Sequence, residues 1–449
     1  MRKPHYQDES VTLHHGDCLD VLRALPDNSV DAVVTDPPYN LTGGKAGGTG
    51  EASVNLDSPH GRSRIGTGNG PGGFMGQRWD DYDAYEGGFQ GWCTAWATEC
   101  LRILKPGGHL LAFGGSRTWH RLSSGIEDAG FEIRESIAWL HGQGFPKSMD
   151  VSKAIDKAAG AQPDVIGRAK GAGSSQTVSL GEFRAEYDAT VPATRDAQRW
   201  QGWGTALKPA FEPIVVARKP LAGTVAANVL EHGTGALNID ACRVGTDERV
   251  NPAGSQSSLQ RVSRVEQGYR ENLTSSVGEA SIVSGRWPTN VVLDERQAEA
   301  LDRQTGVLHS GTMRAGTERQ PRAGGTIYGA DARNFVPADT YGDSGGASRF
   351  FPVFRYEAKA PTSERPNADG VQHPTVKPLD LMRWLVRLVT PVGAVVLEPF
   401  AGSGTTAEAC VLEDRQCIAI EREADYLPLI VSRLQKPVQQ GLFGLEAGA

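Results

Sequence analysis

The sequence predicts a mostly parallel α/β sheet with helices on both faces and a large insertion. Short apolar runs typical of buried strands alternate with segments of helical periodicity, first over residues 11–140 and again over 350–435. Two of these runs lead directly into a polar or glycine-rich segment, at the strand end where open α/β sheets bind ligands. Between the two halves the pattern loosens over 141–349. There, only 211–217 has the composition of a strand, and we expect it to return to the sheet of the two halves.

Length and composition narrow the class of protein. With 449 residues the chain is long for one domain, so we expect a first half at 1–140, an insertion at 141–349 and a second half at 350–449. A formal net charge of -7 gives no overall support for nucleic-acid binding, so any basic surface must be local. The chain has no apolar run long enough to span a bilayer and no charged-then-apolar leader, which favours a cytoplasmic enzyme. The six cysteines include no CxxC pair, so we expect neither a metal site nor disulfides.

The first half alternates strands with helices. Strands are predicted at 11–16, 30–34, 109–113 and 131–140, and helices at 18–25, 91–104 and 119–128. Asp17, between the first strand and the first helix, either caps that helix or faces a ligand at the strand end. The helix at 91–104 is expected to end in a turn, because Lys105 is followed by a proline and two glycines.

Four residues directly after the strand at 30–34 carry the first motif: Asp36, Pro37, Pro38 and Tyr39. The two prolines fix φ and remove two N–H donors, so the carbonyls around them are acceptors without ladder partners. A carboxylate, a carbonyl and an aromatic ring so close together can hold a planar ring that bears an exocyclic amine. A strand followed by a proline-rich turn explains the same residues about as well.

The insertion and the loop before it give weaker signals. Residues 40–76 are rich in Gly and Ser, which suits either a lid over the site or a plain disordered loop. Residues 139–220 carry 11 Lys and Arg against 8 Asp and Glu, which is modest support for a phosphate-facing surface. Trp200 and Trp203, with Arg199 and Lys208, could stack on bases and neutralise phosphates, or could be buried tryptophans in a solvated loop. By elimination, 221–347 is assigned to target recognition, although it contains no known DNA-reading motif.

The second half contains a glycine-rich turn between two predicted strands. Gly402, Gly404 and Ala407 match the GxGxxA fingerprint, and Glu421 lies 17 residues beyond Gly404, where a ribose-binding carboxylate belongs. Small residues let a cofactor approach the backbone while the acid binds its ribose. Taken alone, this motif suits an NAD(P)-dependent oxidoreductase as well as an S-adenosylmethionine enzyme.

Together, the two motifs resemble those of the β group of DNA amino-methyltransferases, which methylate adenine N6 or cytosine N4 with S-adenosylmethionine. Asp36-Pro37-Pro38-Tyr39 resembles the catalytic motif, and 398–406 (Glu-Pro-Phe-Ala-Gly-Ser-Gly-Thr-Thr) resembles the cofactor motif, with Glu398 where many members have Asp. The catalytic motif precedes the cofactor motif, as in the β group. The resemblance covers about 11–140, 211–220 and 350–435, not 221–349, and implies a Rossmann-like methyltransferase sheet.

The resemblance also implies a set of site residues. Thr375 and Lys377, in the segment His-Pro-Thr-Val-Lys-Pro at 373–378, would hold the methionine end of the cofactor, and Asp17 would accept from its adenine amine. Residues 74–80 resemble a stretch that follows the catalytic loop in many members. The expected catalytic residues are Asp36, Pro37, Pro38 and Tyr39. The expected cofactor-binding residues are Asp17, Thr375, Lys377, Glu398, Phe400, Gly402, Ser403, Gly404, Thr405 and Glu421.

The implied reaction is direct methyl transfer to an amine of a base in double-stranded DNA. If Asp36 and the Pro37 carbonyl each accept one amine hydrogen, the nitrogen can pyramidalise and direct its lone pair at the methyl group. The base must be flipped out of the duplex, and Tyr39 would stack on it. Asp at position 36 resembles the adenine enzymes, and cytosine N4 is the alternative. A restriction endonuclease partner and the oligomeric state are left open, and a DNA-binding protein without catalysis is a further alternative.

Overall fold

The structure is a computed structural model, which describes residues 3–40, 82, 85–142, 148–170, 186–251, 281–314, 316–317, 342–354, 373 and 376–435. The first half contributes β1 (Tyr6–Gln7), β2 (Val11–His15), β3 (Val30–Thr35), β4 (Leu104–Phe113) and β5 (Glu132–Leu140). Its helices are α1 (Cys18–Ala24), α2 (Gly88–Ile103) and α3 (Trp119–Asp128). Every residue of β3 is buried, as expected for a strand covered on both faces of a parallel sheet.

The insertion contains more regular structure than its composition predicts. Its strands are β6 (Asp164–Lys170), β7 (Glu186–Val191), β8 (Phe211–Arg218), β9 (Val244–Asn251), β10 (Ser281–Arg286), β11 (Val291–Asp294), β12 (Leu308–Ser310) and β13 (Asp343–Gly345). Its helices are α4 (Val151–Ala158), α5 (Arg195–Arg199), α6 (Val225–His232) and α7 (Glu295–Thr305). The second half then provides β14 (Val353–Phe354), α8 (Leu379–Val389), β15 (Val395–Glu398), α9 (Thr405–Leu412), β16 (Gln416–Glu421) and α10 (Leu427–Leu434).

Ten strands form one sheet in the order β1-β2-β16-β15-β3-β4-β8-β5-β11-β14. Six neighbouring pairs are parallel. The other three, β1 with β2 and β8 with each of its neighbours, are antiparallel. The prediction of a mostly parallel α/β sheet is therefore confirmed. Because β8 runs against β4 and β5, its first residues lie at the edge where those two strands end.

Two hydrophobic cores cover the two faces of this sheet. Ala32 and Val34 of β3 point into a core shared with α8, α9 and α10. Val33, between them, points into the other core, which contains α1, α2 and α3. The alternation places helices on both faces, as predicted, and leaves the carboxyl ends of the parallel strands as the open edge.

Three expectations about the elements differ from the structure. Helix α2 begins at Gly88 instead of residue 91, and residues 105–108 belong to β4 instead of a turn. A Cβ on Gly108 would lie 2.8 Å from the Asp31 carbonyl oxygen, so this glycine lets β4 approach β3 closely. Strand β11 also joins the central sheet, although 211–217 was the only strand expected in the insertion.

Several predictions fall on residues that the structure does not describe. These are the lid or loop at 41–76, the stretch at 74–80 and Thr375. Among the helices that are described, none is both long and apolar enough to cross a membrane. All six cysteines lie in the described residues, where they are buried and form no disulfide.

Candidate active site

The first motif lies at the open edge of the sheet, directly after its central strand. Strand β3 ends at Thr35, between β15 on one side and β4 on the other, so Asp36 is the first residue beyond the ladder. The chain then turns at Asn40, which has a positive φ of 52°. The Thr118 hydroxyl, next to α3, donates to the Tyr39 carbonyl oxygen at 2.7 Å and holds the turn against the sheet.

Asp36 and Tyr39 belong to a cluster of four polar groups. The Lys377 ammonium lies 2.7 Å from Asp36 Oδ2 and 3.4 Å from Glu212 Oε2, and it donates to the Tyr39 hydroxyl at 3.1 Å. The Tyr39 hydroxyl in turn lies 2.9 Å from Asp36 Oδ1 and 3.0 Å from Glu212 Oε2. The cluster thus contains two carboxylates and one ammonium, arranged around one phenol.

Burial and charge together fix the ionisation of this cluster. The Lys377 side chain is only 10% exposed, and burial alone would lower its pKa. The carboxylates of Asp36 and Glu212 outweigh burial and raise the pKa of Lys377 above its usual value, so the ammonium stays charged. Burial, followed by the same two carboxylates, raises the pKa of Tyr39 well above 10, so the phenol stays neutral.

Glu212 is a site residue that the sequence analysis did not identify. It is the second residue of β8, and the antiparallel direction of β8 brings it to the edge where β4 and β5 end. His141, directly after β5, has Nε2 3.9 Å from Glu212 Oε1. In the sequence, Glu212 is the one charged residue in the otherwise apolar stretch 211–217. A single charge in a predicted buried strand is a signal that could have identified it.

The second motif forms a tight turn between β15 and α9. Gly402 and Gly404 both have positive φ, 53° and 78°. A Cβ on Gly402 would lie 3.1 Å from His373 Nε2, and one on Gly404 would lie 3.0 Å from Ile430 Cγ2. Both the dihedral angles and the close contacts therefore require glycine. Ser403 and Thr405 lie in the same turn, where their hydroxyls are 3.0 Å apart.

Glu421 ends β16 beside this turn, as the sequence predicts. Its Oε2 accepts from the Gly402 N–H and its Oε1 from the Glu423 N–H, both at 2.7 Å. Burial raises the pKa of Glu421 to about 7, against the lowering effect of these hydrogen bonds. The carboxylate is thus fixed at the strand end, and it ionises close to neutral pH.

Glu398 joins the two motifs through hydrogen bonds. One carboxylate oxygen accepts from the Thr35 hydroxyl and, at 3.0 Å, from the Phe400 N–H, and the other accepts from the Thr406 hydroxyl at 2.6 Å. Thr35 and Glu398 are 363 positions apart in sequence. Burial raises the pKa of Glu398 to about 8 despite these donors. Its contacts brace β3 against the glycine turn.

Two further expected cofactor residues, Asp17 and Phe400, line the same space. Asp17 caps α1 by accepting a hydrogen bond from the Leu19 N–H at 2.9 Å. The same residue lines the site. Phe400 packs edge-on against Trp96, with ring centroids 5.6 Å apart. Tyr82, which the sequence analysis did not identify, stacks on Trp92 with a centroid separation of 3.8 Å and also lines the site.

One cleft of about 1390 Å³ contains both motifs. Asp36, Pro37 and Tyr39 line it on the β3 side, and Gly402 and Glu421 line it on the β15 and β16 side. The site can therefore hold a nucleotide-like cofactor against the glycine turn and a second planar ligand against Tyr39. Among the described residues, no group of three or more His, Cys, Asp and Glu side chains is placed to hold a metal ion.

Two curated relatives are similar to parts of this chain. One is the type II methyltransferase M.HindIII of Haemophilus influenzae, which is 23% identical over 243 residues, 50% of this chain and 64% of the relative. The other is the type II methyltransferase M2.LlaDCHI of Lactococcus lactis subsp. cremoris, 25% identical over 139 residues, 31% of this chain and 45% of the relative. The chain thus spans less than two thirds of either relative.

Solved structures with a similar chain trace include PvuII DNA methyltransferase, described as cytosine-N4-specific. It is 15% identical, with a TM-score of 0.40 over 96% of this chain and 88% of that one. M1.HpyAVI in complex with SAM is 12% identical, with a TM-score of 0.34 over 94% and 99%. Likeness at this level says nothing about the site.

The family comparison covers nearly the whole chain. The sequence model of the N6/N4 family, described as DNA methylase, matches residues 30–432. This range includes both motifs and the insertion between them. Its members use S-adenosylmethionine as cofactor. The chain belongs to the N6/N4 DNA methylase family.

Proposed function

We propose that this protein transfers a methyl group from S-adenosylmethionine to N6 of adenine, flipped out of duplex DNA, by direct in-line transfer. Cytosine N4 is the alternative acceptor. The observation that carries the proposal is the shared cleft, in which Asp36 and Tyr39 face the glycine turn and Glu421. The family match supports methyl transfer to DNA and leaves the nicotinamide alternative without support.

The cleft suits this cofactor by its own geometry. The cofactor supplies an electrophilic methyl group on a sulfonium when it is bound. Gly402 lines the cleft, and a Cβ there would lie 3.1 Å from His373 Nε2, so the turn presents bare backbone to the cleft at this residue. Glu421 is placed to accept from ribose hydroxyls. We assign the neighbouring positions to the same ligand: Asp17, Thr375, Phe400, Ser403 and Thr405.

Asp36 is proposed to activate the amine of the target base. An exocyclic amine is a poor nucleophile while its lone pair is delocalised into the ring. Asp36 and the Pro37 carbonyl would each accept one amine hydrogen, which favours a pyramidal nitrogen with its lone pair directed at the methyl group. The Lys377 ammonium lies 2.7 Å from Asp36 Oδ2 and fixes the orientation of this carboxylate.

Two roles for Lys377 are therefore in competition. The resemblance implies that Lys377 holds the cofactor carboxylate, whereas its contacts favour a role in orienting Asp36 and Glu212. The contacts are the stronger argument, because moving Lys377 to a cofactor carboxylate would leave two carboxylates around the Tyr39 hydroxyl without their cation. We assign Lys377 and Glu212 to positioning Asp36 and Tyr39.

Tyr39 is proposed to stack on the flipped base. Its hydroxyl lies within hydrogen-bonding distance of Asp36, Glu212 and Lys377, which fixes the ring at the wall of the cleft. A fixed aromatic face reduces the entropy lost when a planar base binds.

The remaining assignments concern partners and target recognition. The hairpins β9–β10 and β12–β13, which lie outside the central sheet, are the proposed target-recognition part of 221–349. Two relatives are named as type II methyltransferases, which favours a restriction endonuclease of the same specificity as a partner. We assign the protein to the cytoplasm, where the proposed DNA substrate lies.

The methylated base decides between the two acceptors. Unmethylated genomic DNA is incubated with the protein and S-adenosylmethionine, digested to nucleosides and analysed by mass spectrometry. We expect N6-methyladenine. N4-methylcytosine would keep the mechanism and overturn the choice of base, and the absence of any methylated base on varied DNA would overturn the proposal.

A further inference from the structure

Residues 203–210, which connect α5 to β8, form a loop at the mouth of the cleft, here called the rim loop. Leu207 in this loop is 92% exposed, more than any other large hydrophobic residue that the structure describes. Residues 205–210 nevertheless line the cleft. Trp200 and Trp203 are 39% and 60% exposed, so the interpretation of buried tryptophans in this region is wrong. The cleft mouth therefore presents an apolar tip to solvent.

The rim loop is held in place on both sides of Leu207. The Thr205 N–H donates to Ser148 Oγ at 2.9 Å. On the other side, Lys208 Nζ donates to the Gly142 carbonyl oxygen at 2.6 Å, directly after β5. Leu207 therefore lies between two residues that are hydrogen-bonded to the segments at Gly142 and Ser148.

Leu207 is also close to the catalytic cluster along the chain. It precedes Glu212 by five residues, and a five-residue segment spans at most about 18 Å. Glu212 itself lies 3.0 Å from the Tyr39 hydroxyl. An apolar tip is thus held within reach of the place where a flipped base would stand.

The surroundings of Leu207 suit duplex DNA better than a purely apolar partner. Arg117 and Lys208 are exposed and line the same cleft, where they can face phosphates. Trp203 packs edge-on against Trp200 with centroids 4.9 Å apart and presents an exposed ring. A base that leaves the stack opens a gap lined by the apolar faces of its neighbours, and proteins that distort DNA fill such gaps with apolar side chains.

We propose that Leu207 enters the duplex and fills the gap left by the flipped base, with the rim loop as its rigid support. This inference rests on the proposed function, because it requires a base-flipping DNA enzyme. It assigns the rim loop to opening the duplex and not to reading its sequence.

The test compares Leu207→Ala with Leu230→Ala. Leu230, in α6, is 88% exposed, does not line the cleft and lies outside the two hairpins proposed for target recognition, so it is a matched control for loss of an exposed leucine. The recognition site is first mapped on DNA methylated by the wild-type protein, and a short duplex carrying that site is then made in two forms. One is fully paired, and the other has an abasic position opposite the target base, which lowers the cost of flipping.

The two substrates separate gap filling from simple DNA binding. Leu207→Ala should lower kcat/KM about tenfold or more on the paired duplex and about twofold or less on the abasic duplex. Leu230→Ala should match the wild type on both. Equal rates of Leu207→Ala and wild type on the paired duplex, or equal losses on both duplexes, would overturn the inference. If the wild type methylates no DNA, the proposed function fails first, which is a distinguishable result.

Discussion

Replacing Lys377 with methionine removes the one cation from the cluster around Tyr39 and keeps most of the side-chain volume. The ammonium lies 2.7 Å and 3.4 Å from its two carboxylates. With an effective dielectric constant of 20, Coulomb's law gives roughly 6 and 5 kcal/mol for these distances before desolvation is counted. Breaking a buried pair by removing one partner typically costs about 3–5 kcal/mol.

The expected response of the Lys377→Met variant is displacement of Asp36. Without the ammonium, the carboxylates of Asp36 and Glu212 lie against one Tyr39 hydroxyl with no cation between them, so their repulsion should move Asp36 out of its acceptor position. The rate of methyl transfer should then fall about 100-fold or more.

The assay is single-turnover methyl transfer at saturating cofactor and DNA, measured for the variants and the wild type. Glu212→Gln provides the matched partner in a double-mutant cycle. Lys377→Met with Glu212→Gln removes one charge of each sign, so the double variant should lose less than the sum of the two single losses.

A different outcome would refute the assignment of Lys377 to Asp36. If Lys377→Met weakens the binding of S-adenosylmethionine while the single-turnover rate at saturating cofactor stays unchanged, Lys377 holds the cofactor carboxylate, as the family resemblance implies. Strict additivity with Glu212→Gln would point the same way.

Two further predictions concern the carboxyl groups with raised pKa values. Since burial raises the pKa of Glu421 to about 7, cofactor affinity measured by calorimetry should increase from pH 6 to 8. The Glu421→Gln variant should bind the cofactor weakly, and its affinity should not change with pH. A change of affinity with pH in this variant would contradict the prediction. Glu398 is protonated in the folded state up to about pH 8 but only to about pH 4.5 when unfolded, so the folded state binds more protons between these values and stability falls as the pH rises. In denaturant unfolding, Glu398→Gln should reduce this loss of stability with pH. Glu398→Ala leaves three donors without an acceptor and should lower the free energy of unfolding by about 3 kcal/mol or more. Equal stability of the two variants would contradict the bracing role.

The two motifs were predictable because each depends on local sequence. A mostly apolar strand followed by Asp36 and two prolines, and glycines at positions that need positive φ, both leave short-range signals. Glu421 was also found, since its place follows from strand spacing. The same local logic failed at 105–108, where glycines that normally end a helix instead allow close contact between β4 and β3.

The rest of the site depends on topology that no local pattern encodes. Glu212 reaches the cluster only because β8 inserts antiparallel between β4 and β5. The ion pair between Lys377 and Asp36 joins residues 341 positions apart. The residues on either side of Leu207 are likewise hydrogen-bonded to Ser148 and Gly142, which the sequence alone does not connect to the rim loop.

The most direct test of the account is methyl transfer by an Asp36→Ala variant, with cofactor and DNA binding measured on the same preparation. Removing the carboxylate should lower the single-turnover rate by about 10²–10³-fold, while both binding constants stay within a few-fold of the wild type. Asp36→Asn keeps one acceptor oxygen and should lose less. If Asp36→Ala transfers methyl groups at the wild-type rate, the amine is not activated at the end of β3, and the central claim is wrong.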